Sequence, residues 1–208
     1  MTGLSSTEFR DLVVAMSGAI AANSEQLTAL DSAIGDGDHG ANMKRGFEAV
    51  EGELEQLADK PVPDALKAAG MKLVMTVGGA SGPLFGTFFM TLGKELPEDF
   101  DRAGFVDAFG KAVDAVAARG KSHAGQKTML DVLYPLRDAM LEGLDLAGIA
   151  ACADAAAEAT IPMLATRGRA SFLGERSIGH MDPGAASVAL LAGVVAQTLK
   201  NHTRNLEP

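Results

Sequence analysis

Apolar side chains recur every three or four residues along most of this 208-residue chain. This spacing puts apolar residues on one face of a helix. Alternating β-branched residues, which are typical of strands, are nearly absent, while Ala, Leu, Met, Glu and Lys dominate the long segments. The sequence therefore predicts an all-α protein. Its eight helices are expected over residues 6–28, 38–59, 63–77, 83–94, 105–119, 127–141, 146–165 and 183–200.

Signals at the helix ends support this assignment. Ser5 followed by Glu8 matches a capping box at the start of the first helix. Gly120 is placed to act as a left-handed cap after the fifth helix. Most connections are short, which favours antiparallel neighbours. We expect residues 1–208 to form a single domain, a bundle or closed ring of about eight antiparallel amphipathic helices.

Charge and cysteine content limit the compartment and the partners. A formal net charge of −9 disfavours binding to nucleic acid and to anionic membranes. Cys152 is the only cysteine, so the chain forms no internal disulfide, which fits a reducing compartment. No secretory signal pattern precedes the first helix. The most apolar stretches, 73–92 and 185–199, are interrupted by glycines or shorter than the ~20 residues of a membrane span. We expect a cytoplasmic protein without nucleic-acid or membrane partners.

A cluster of acidic residues is the first candidate site. Asp31, Asp36 and Asp38 lie within eight residues, and the intervening glycines allow the backbone to bring the carboxylates together. Like charges at that spacing repel unless a cation lies between them. Magnesium prefers carboxylate oxygens and completes its shell with water and substrate phosphates. A solvated turn is the alternative. A calcium EF-hand is excluded, because Phe47 stands where its bidentate Glu is required.

Two segments offer backbone amides for a phosphate group. A predicted helix begins directly after the acidic cluster, at residues 39–42, which are His39, Gly40, Ala41 and Asn42. Helix N-termini bind anions. Residues 78–83 form a second glycine-rich turn before a helix, with the Ser81 hydroxyl available. A turn that serves helix packing alone is the alternative for this second segment.

A long polar loop, residues 166–182, separates the last two helices and contains three arginines in an otherwise acidic chain. Loops of more than ~12 residues in compact domains are usually functional. The planar guanidinium group suits phosphate recognition. Pairing of these arginines with local acids is the alternative.

Four segments together resemble the L subunit, or nucleotide-binding domain, of the dihydroxyacetone kinase family. They are LDSAIGDGDHG at 30–40, GGASGP at 78–83, KTMLD at 127–131 and RASFLGERSIGHMDPG at 169–184. The resemblance extends over nearly the whole chain. It implies a barrel of eight antiparallel helices with ADP or ATP and a pair of magnesium ions at one end.

The resemblance also implies site residues and partners. Asp31, Asp36 and Asp38 match the magnesium ligands of the family. The implied nucleotide contacts are His39, Gly40, Ala41, Asn42, Ala80, Ser81, Gly120, Met129, Arg169, Asp182, Pro183 and Gly184. In this family a separate K subunit binds the hydroxy-ketone substrate, so catalysis by an L subunit consists of positioning and charge neutralisation. We expect a retained ADP that an M-type protein of the phosphotransferase system rephosphorylates, with exchanging ATP as the alternative.

Two other classes of protein remain for comparison. A prenyl-diphosphate enzyme is also helical and holds magnesium with aspartates, but it needs a second metal-binding segment, which this sequence does not offer. A non-catalytic nucleotide sensor would bind nucleotide without transferring a phosphoryl group to a K-type partner.

Overall fold

The computed structural model describes residues 3–204 and contains α-helices, one 3-10 helix and no strand within that range. The α-helices are α1 (Ser6–Ala22), α2 (Ser24–Ile34), α3 (His39–Glu51), α4 (Leu54–Ala58), α5 (Val62–Thr76), α6 (Ser81–Glu95), α7 (Arg102–Gly120), α8 (Leu130–Leu141), α9 (Leu146–Ala159) and α10 (Pro183–Arg204). The predicted all-α class is confirmed.

Two predicted helices are each divided in the structure. The expected helix 6–28 ends at Ala22, and α2 begins after Asn23 and continues to Ile34. The expected helix 38–59 is broken at Gly52 and Glu53, between α3 and α4. Hydrophobic spacing did not reveal these breaks, because apolar residues keep their helical period across them.

Other predicted boundaries were also wrong, among them the start of α7 at Arg102 instead of 105 and the end of α10 at Arg204 instead of 200. Helix α8 begins at Leu130 instead of 127, and α9 ends at Ala159 instead of 165. Gly120 is the last residue of α7, and the left-handed residue that follows is Lys121, with φ 49° and ψ 47°. The long loop is partly ordered as a 3-10 segment, Arg169–Ser177, with a kink at Gly174.

Eight of the helices form a closed ring. Contacts connect α1 to α3, then α5, α6, α7, α8, α9 and α10 in turn, and α10 returns to α1. Helices α2 and α4 are short additions to this ring. Apolar side chains from all eight fill the interior, and the largest fully buried ones include Ile20, Met43, Leu73 and Leu130.

The ring brings the N-termini of alternate helices to one end. Gly40, in the first turn of α3, faces Ser24 O at the junction of α1 and α2. The His39 side chain, at the start of α3, also contacts Ser81 at the start of α6 and Ser187 near the start of α10. Gly184 of α10 in turn faces Met129, directly before α8. The N-termini of α3, α6, α8 and α10 therefore meet at the same end.

Helix α10 has 22 residues and, by length and composition alone, is apolar enough to cross a membrane. It is longer than the apolar stretch 185–199 evident in the sequence. Its Ala185, Val188 and Leu191 are buried in the core, and it packs against α1, α8 and α9. This packing agrees with the predicted role as a core helix.

Helices α5 and α6 approach each other at backbone distance. A Cβ atom at Gly86 would lie 2.3 Å from Val74 Cγ2 and 2.7 Å from the Gly70 carbonyl oxygen. The carbonyl belongs to the backbone and cannot rotate away. Glycine at position 86 is therefore required by the packing of these two helices.

We predict that Gly86→Ala lowers the free energy of unfolding by about 1–3 kcal/mol or more, as overpacking does. Gly18→Ala is the matched control, because a Cβ there meets nothing within 4 Å. In the interior of α1 it should raise stability by roughly 0.5–1 kcal/mol. Urea unfolding measures both changes, and equal effects of the two substitutions would contradict the close approach of α5 and α6.

Candidate metal centre and phosphate site

Three carboxylates meet at the end of the ring where the helix N-termini gather. Asp31 is buried on the last turn of α2, and Asp36 and Asp38 are exposed in the turn before α3. One carboxylate oxygen from each lies within 4.8 Å of the other two. Repulsion between like charges at this distance favours a cation among them. The convergence that the sequence predicted is present in the structure.

Asp31 also builds the turn that carries the other two acids. Its Oδ2 accepts hydrogen bonds from the backbone N–H of Asp38 at 2.9 Å and of His39 at 3.1 Å. Gly37 has φ +74°, and a Cβ at Gly35 would lie 2.1 Å from Asp31 Oδ1. Both glycines are therefore needed for the backbone to fold around the Asp31 carboxylate.

Arg169 connects the 3-10 segment to the acidic cluster. Its Nη2 lies 3.2 Å from Asp36 Oδ2, and its side chain is otherwise largely exposed. The sequence is compatible with two roles for arginines of this loop, phosphate binding and pairing with acids. Arg169 pairs with an acid that itself belongs to the cluster, so its guanidinium group lies beside the candidate metal centre.

His39 joins three helices at the site. Its Nδ1 lies 2.9 Å from Ser81 Oγ on α6, and its Nε2 lies 2.7 Å from Ser187 Oγ on α10. The Ser187 hydroxyl donates to the Pro183 carbonyl oxygen. Ser187 Oγ therefore accepts from Nε2–H, and the Ser81 hydroxyl donates to Nδ1. Burial lowers the pKa of His39, which favours this neutral form at pH 7.

The start of α10 is organised by Asp182. Its Oδ2 accepts from the Ala185 backbone N–H at 2.7 Å, and its own N–H donates to Thr160 Oγ1 at 3.0 Å. Burial raises the pKa of Asp182 to about 7, although hydrogen bonds from Ala185 and Gly184 oppose the shift. Met129 is buried against this turn, with its Cβ 3.4 Å from a Cβ built at Gly184.

The remaining predicted nucleotide contacts lie on several different helices. Ala80 directly precedes α6 and is exposed. Gly120 ends α7 and faces Leu84 of α6. Gly40 is buried in packing, since a Cβ there would lie 1.9 Å from Ser24 O. Ala41 lines a separate open cavity of about 390 Å³ between α2 and α3, which contains no other predicted contact.

Several residues that order this region were not predicted as site residues from the sequence. Arg45 Nη2 donates to Asn42 Oδ1 at 2.6 Å, and Arg45 Nε donates to the Thr76 carbonyl oxygen at 2.8 Å. Ser187 positions His39, and Asp131 caps the N–H of Thr128 at 2.7 Å. No local pattern identifies the contacts of Ser187 with His39 and of Arg45 with Thr76, because these partners are distant in the sequence. The contacts of Arg45 with Asn42 and of Asp131 with Thr128 join residues three positions apart.

The arrangement suits a metal-bound phosphate group. Carboxylates supply the oxygen ligands that magnesium prefers. Converging helix N-termini direct free N–H groups and the positive ends of their dipoles towards an anion. Arg169 adds a positive charge beside Asp36. Metal and phosphate binding are therefore chemically compatible at this end of the ring.

Known proteins share both the sequence and the fold. The DAK2 domain family matches residues 33–197. The chain is 41% identical to the PEP-dependent dihydroxyacetone kinase, ADP-binding subunit DhaL, of Escherichia coli (strain K12), which covers 95% of this chain and 99% of that subunit. It is 42% identical to the PTS-dependent dihydroxyacetone kinase, ADP-binding subunit DhaL, of Lactococcus lactis, over 81% of this chain and 85% of the relative.

The dihydroxyacetone kinase of C. freundii, crystallised in complex with AMP-PNP and Mg2+, has the same fold with a TM-score of 0.77 at 24% identity. The match covers 95% of this chain, which spans about a third of that kinase chain (35%). The expected helical barrel is thus the fold of a known kinase domain. By sequence and fold, the chain belongs to the DAK2 domain family, the family of the ADP-binding L subunits of dihydroxyacetone kinases.

Proposed function

We propose that this chain is the phosphoryl-transfer subunit of a dihydroxyacetone-type kinase. It holds Mg–ADP or Mg–ATP and passes the terminal phosphoryl group to a hydroxy-ketone bound by a separate K subunit. The observation that carries the proposal is the convergence of Asp31, Asp36 and Asp38 beside the N-termini of α3, α6 and α10. Relatives of matching length are named as ADP-binding subunits of such kinases, which supports it.

In this proposal residues 1–208 act as one nucleotide-binding domain in the cytoplasm. Asp31, Asp36 and Asp38 are the metal ligands, and a pair of magnesium ions supplies positive charge against the phosphates. Asp31 orients the turn through its two backbone hydrogen bonds, so Asp36 and Asp38 present their carboxylates to the metals. Arg169 stabilises negative charge on the transferred group.

The nucleotide would be held by the ends of several helices. Its proposed contacts are His39, Gly40, Ala41, Asn42, Ala80, Ser81, Gly120, Met129, Arg169, Asp182, Pro183 and Gly184. Backbone N–H groups at the starts of α3, α6 and α10 face the phosphates. Neutral His39 fixes the Ser81 hydroxyl, and buried Met129 offers an apolar surface. The chain's contribution to catalysis is then positioning and charge neutralisation.

We favour a retained ADP that is rephosphorylated on the protein by an M-type donor of the phosphotransferase system. The names of two relatives, PEP-dependent and PTS-dependent, favour this regime. Exchange of ATP in each cycle is the alternative, and a non-catalytic nucleotide regulator is a second one. All three require the same nucleotide site, so the distinction lies in phosphoryl turnover.

Native mass spectrometry separates these regimes. We predict that the purified chain carries ADP and gains the mass of one phosphoryl group after incubation with phosphotransferase proteins charged by phosphoenolpyruvate. Rapid exchange with ATP and no gain from the charged donor would favour the ATP-dependent subunit. Bound nucleotide that is never transferred to a hydroxy-ketone in the presence of a K-type subunit would favour the regulator.

A substitution in the acidic cluster tests the metal site. We predict that Asp38→Asn weakens ADP binding in Mg²⁺ at least about tenfold, or ~1.4 kcal/mol, because one carboxylate ligand is lost. Without divalent metal, the same substitution should leave the Tm unchanged or raise it, since it relieves repulsion. Isothermal titration and thermal melts measure the two effects.

Asp154→Asn is the matched control, because it removes the same charge from an exposed position on α9, which packs against α8 and α10, whereas the cluster lies at α2 and the start of α3. The control should bind ADP as the unsubstituted chain does. Equal ADP affinity for Asp38→Asn and the control in Mg²⁺ would rule out the proposed metal centre.

The pKa of Asp182 predicts a pH dependence of stability. Because this pKa is raised from the ordinary 3.8 of an aspartate to about 7, the folded chain binds the proton more tightly than the unfolded chain. The contribution of Asp182 to the free energy of unfolding is complete below the pKa of the unfolded chain. It is lost as the pH rises through the pKa of the folded chain. The difference in Tm between the unsubstituted chain and Asp182→Asn should therefore fall between about pH 4 and pH 7. A difference that is constant over this range would contradict the raised pKa.

A further inference from the structure

Lys127, in the connection between α7 and α8, is the largest fully buried side chain of the described residues, with 1% exposure. Its backbone is left-handed, with φ 61°. The ammonium group donates to the carbonyl oxygens of Ile161, Met163 and Ser177, at 3.3, 3.1 and 2.7 Å. An ammonium group has three N–H donors. Each proton of Lys127 therefore has a carbonyl partner.

The three carbonyl groups belong to both ends of one segment. Ile161 and Met163 follow the end of α9, and Ser177 ends the 3-10 segment. The segment between these two ends carries Arg169. Residues 160–182 are here called the arginine loop, and its base is the place where the two ends meet. The ammonium group of Lys127 bridges the two ends at this base.

Further hydrogen bonds surround this base. Ala165 N–H donates to Ser177 Oγ at 3.0 Å, and Gly179 N–H donates to the Ile161 carbonyl oxygen at 2.8 Å. Thr166 N–H donates to the Gln126 carbonyl oxygen, next to Lys127, at 3.3 Å. One backbone–backbone bond and one bond to the Ser177 hydroxyl join the two ends to each other. Lys127 joins both ends to the segment before α8.

A buried charge is costly unless it is paired or hydrogen-bonded. Burial lowers the pKa of Lys127, and the Asp182 carboxylate opposes that shift. Asp182 lies at the other end of the arginine loop, before α10. The lysine therefore interacts with the base of the loop through hydrogen bonds and with its end through charge.

We propose that Lys127 is a positioning residue that fixes where Arg169 and Asp182 lie relative to Met129. Lys127 is two residues before Met129, and its three donors are taken by the carbonyl groups, so none is left for a nucleotide. Its three hydrogen bonds restrict how the arginine loop lies relative to the start of α8. This inference rests on the proposed function, because its consequence is that Mg–ADP affinity depends on a residue outside the site.

The test is Lys127→Met, which keeps the length of the side chain but removes the charge and the donors. We expect Mg–ADP affinity to fall at least tenfold by isothermal titration. Hydrogen exchange should accelerate in residues 160–182 and stay unchanged in α3 and α5. Leu57→Ala is the matched control, because Leu57 is buried in α4, after the end of α3 that lies away from the site.

The control distinguishes positioning from general stability. Leu57→Ala should lower the Tm while Mg–ADP affinity, measured well below that Tm, stays at the unsubstituted value. Unchanged affinity in Lys127→Met, or equal losses of affinity in both variants, would overturn the proposal. Lys127→Arg retains the charge but not the geometry of three donors, and its affinity and exchange should lie between those of Lys127→Met and the unsubstituted chain.

Lys127→Arg also decides the case in which Lys127→Met does not fold. Weaker Mg–ADP binding with faster exchange confined to residues 160–182 would then support the proposal, and unsubstituted values in both measurements would overturn it. If the unsubstituted chain itself bound no Mg–ADP, the proposed function would fail. Hydrogen exchange alone would then show whether Lys127 orders the arginine loop. Exchange of residues 160–182 at the unsubstituted rate in every Lys127 variant would refute that as well.

Discussion

The need to compensate the mutual repulsion of three clustered carboxylates is the constraint that shapes this end of the protein. One carboxylate oxygen from each of Asp31, Asp36 and Asp38 lies within 4.8 Å of the other two, which is unfavourable without positive charge between them. The chain brings them together through backbone hydrogen bonds to Asp31 and through two glycines that leave room for its carboxylate. A turn built in this way is suited to a divalent cation and to the anion that the cation would carry.

The closed ring supplies the second requirement, which is an environment for phosphate. Because its helices alternate in direction, the N-termini of α3, α6, α8 and α10 meet where the carboxylates do. His39 connects three of these helices through Ser81 and Ser187. Fold and site are therefore linked, since a displaced helix would move both a phosphate-binding N-terminus and the residues beside the metal centre.

Much of this could be predicted from the sequence, for reasons that are local. Helical periodicity gave the all-α class, and the spacing of aspartates and glycines gave the acidic cluster. The breaks at Asn23 and Gly52 could not be predicted, because apolar spacing continues through them. Ser187 and Lys127 were also missed as functional candidates. Their significance arises from partners that are distant in the sequence, His39 and the carbonyl groups of the arginine loop.

The most direct test of the central claim is anomalous diffraction from crystals grown with Mn²⁺ and ADP. The account predicts a pair of manganese peaks whose ligands, at about 2.0–2.3 Å, together include carboxylate oxygens from Asp31, Asp36 and Asp38 and phosphate oxygens, by analogy with magnesium. A manganese position that contacts phosphate but none of these carboxylates, or nucleotide bound away from the starts of α3, α6 and α10, would contradict it.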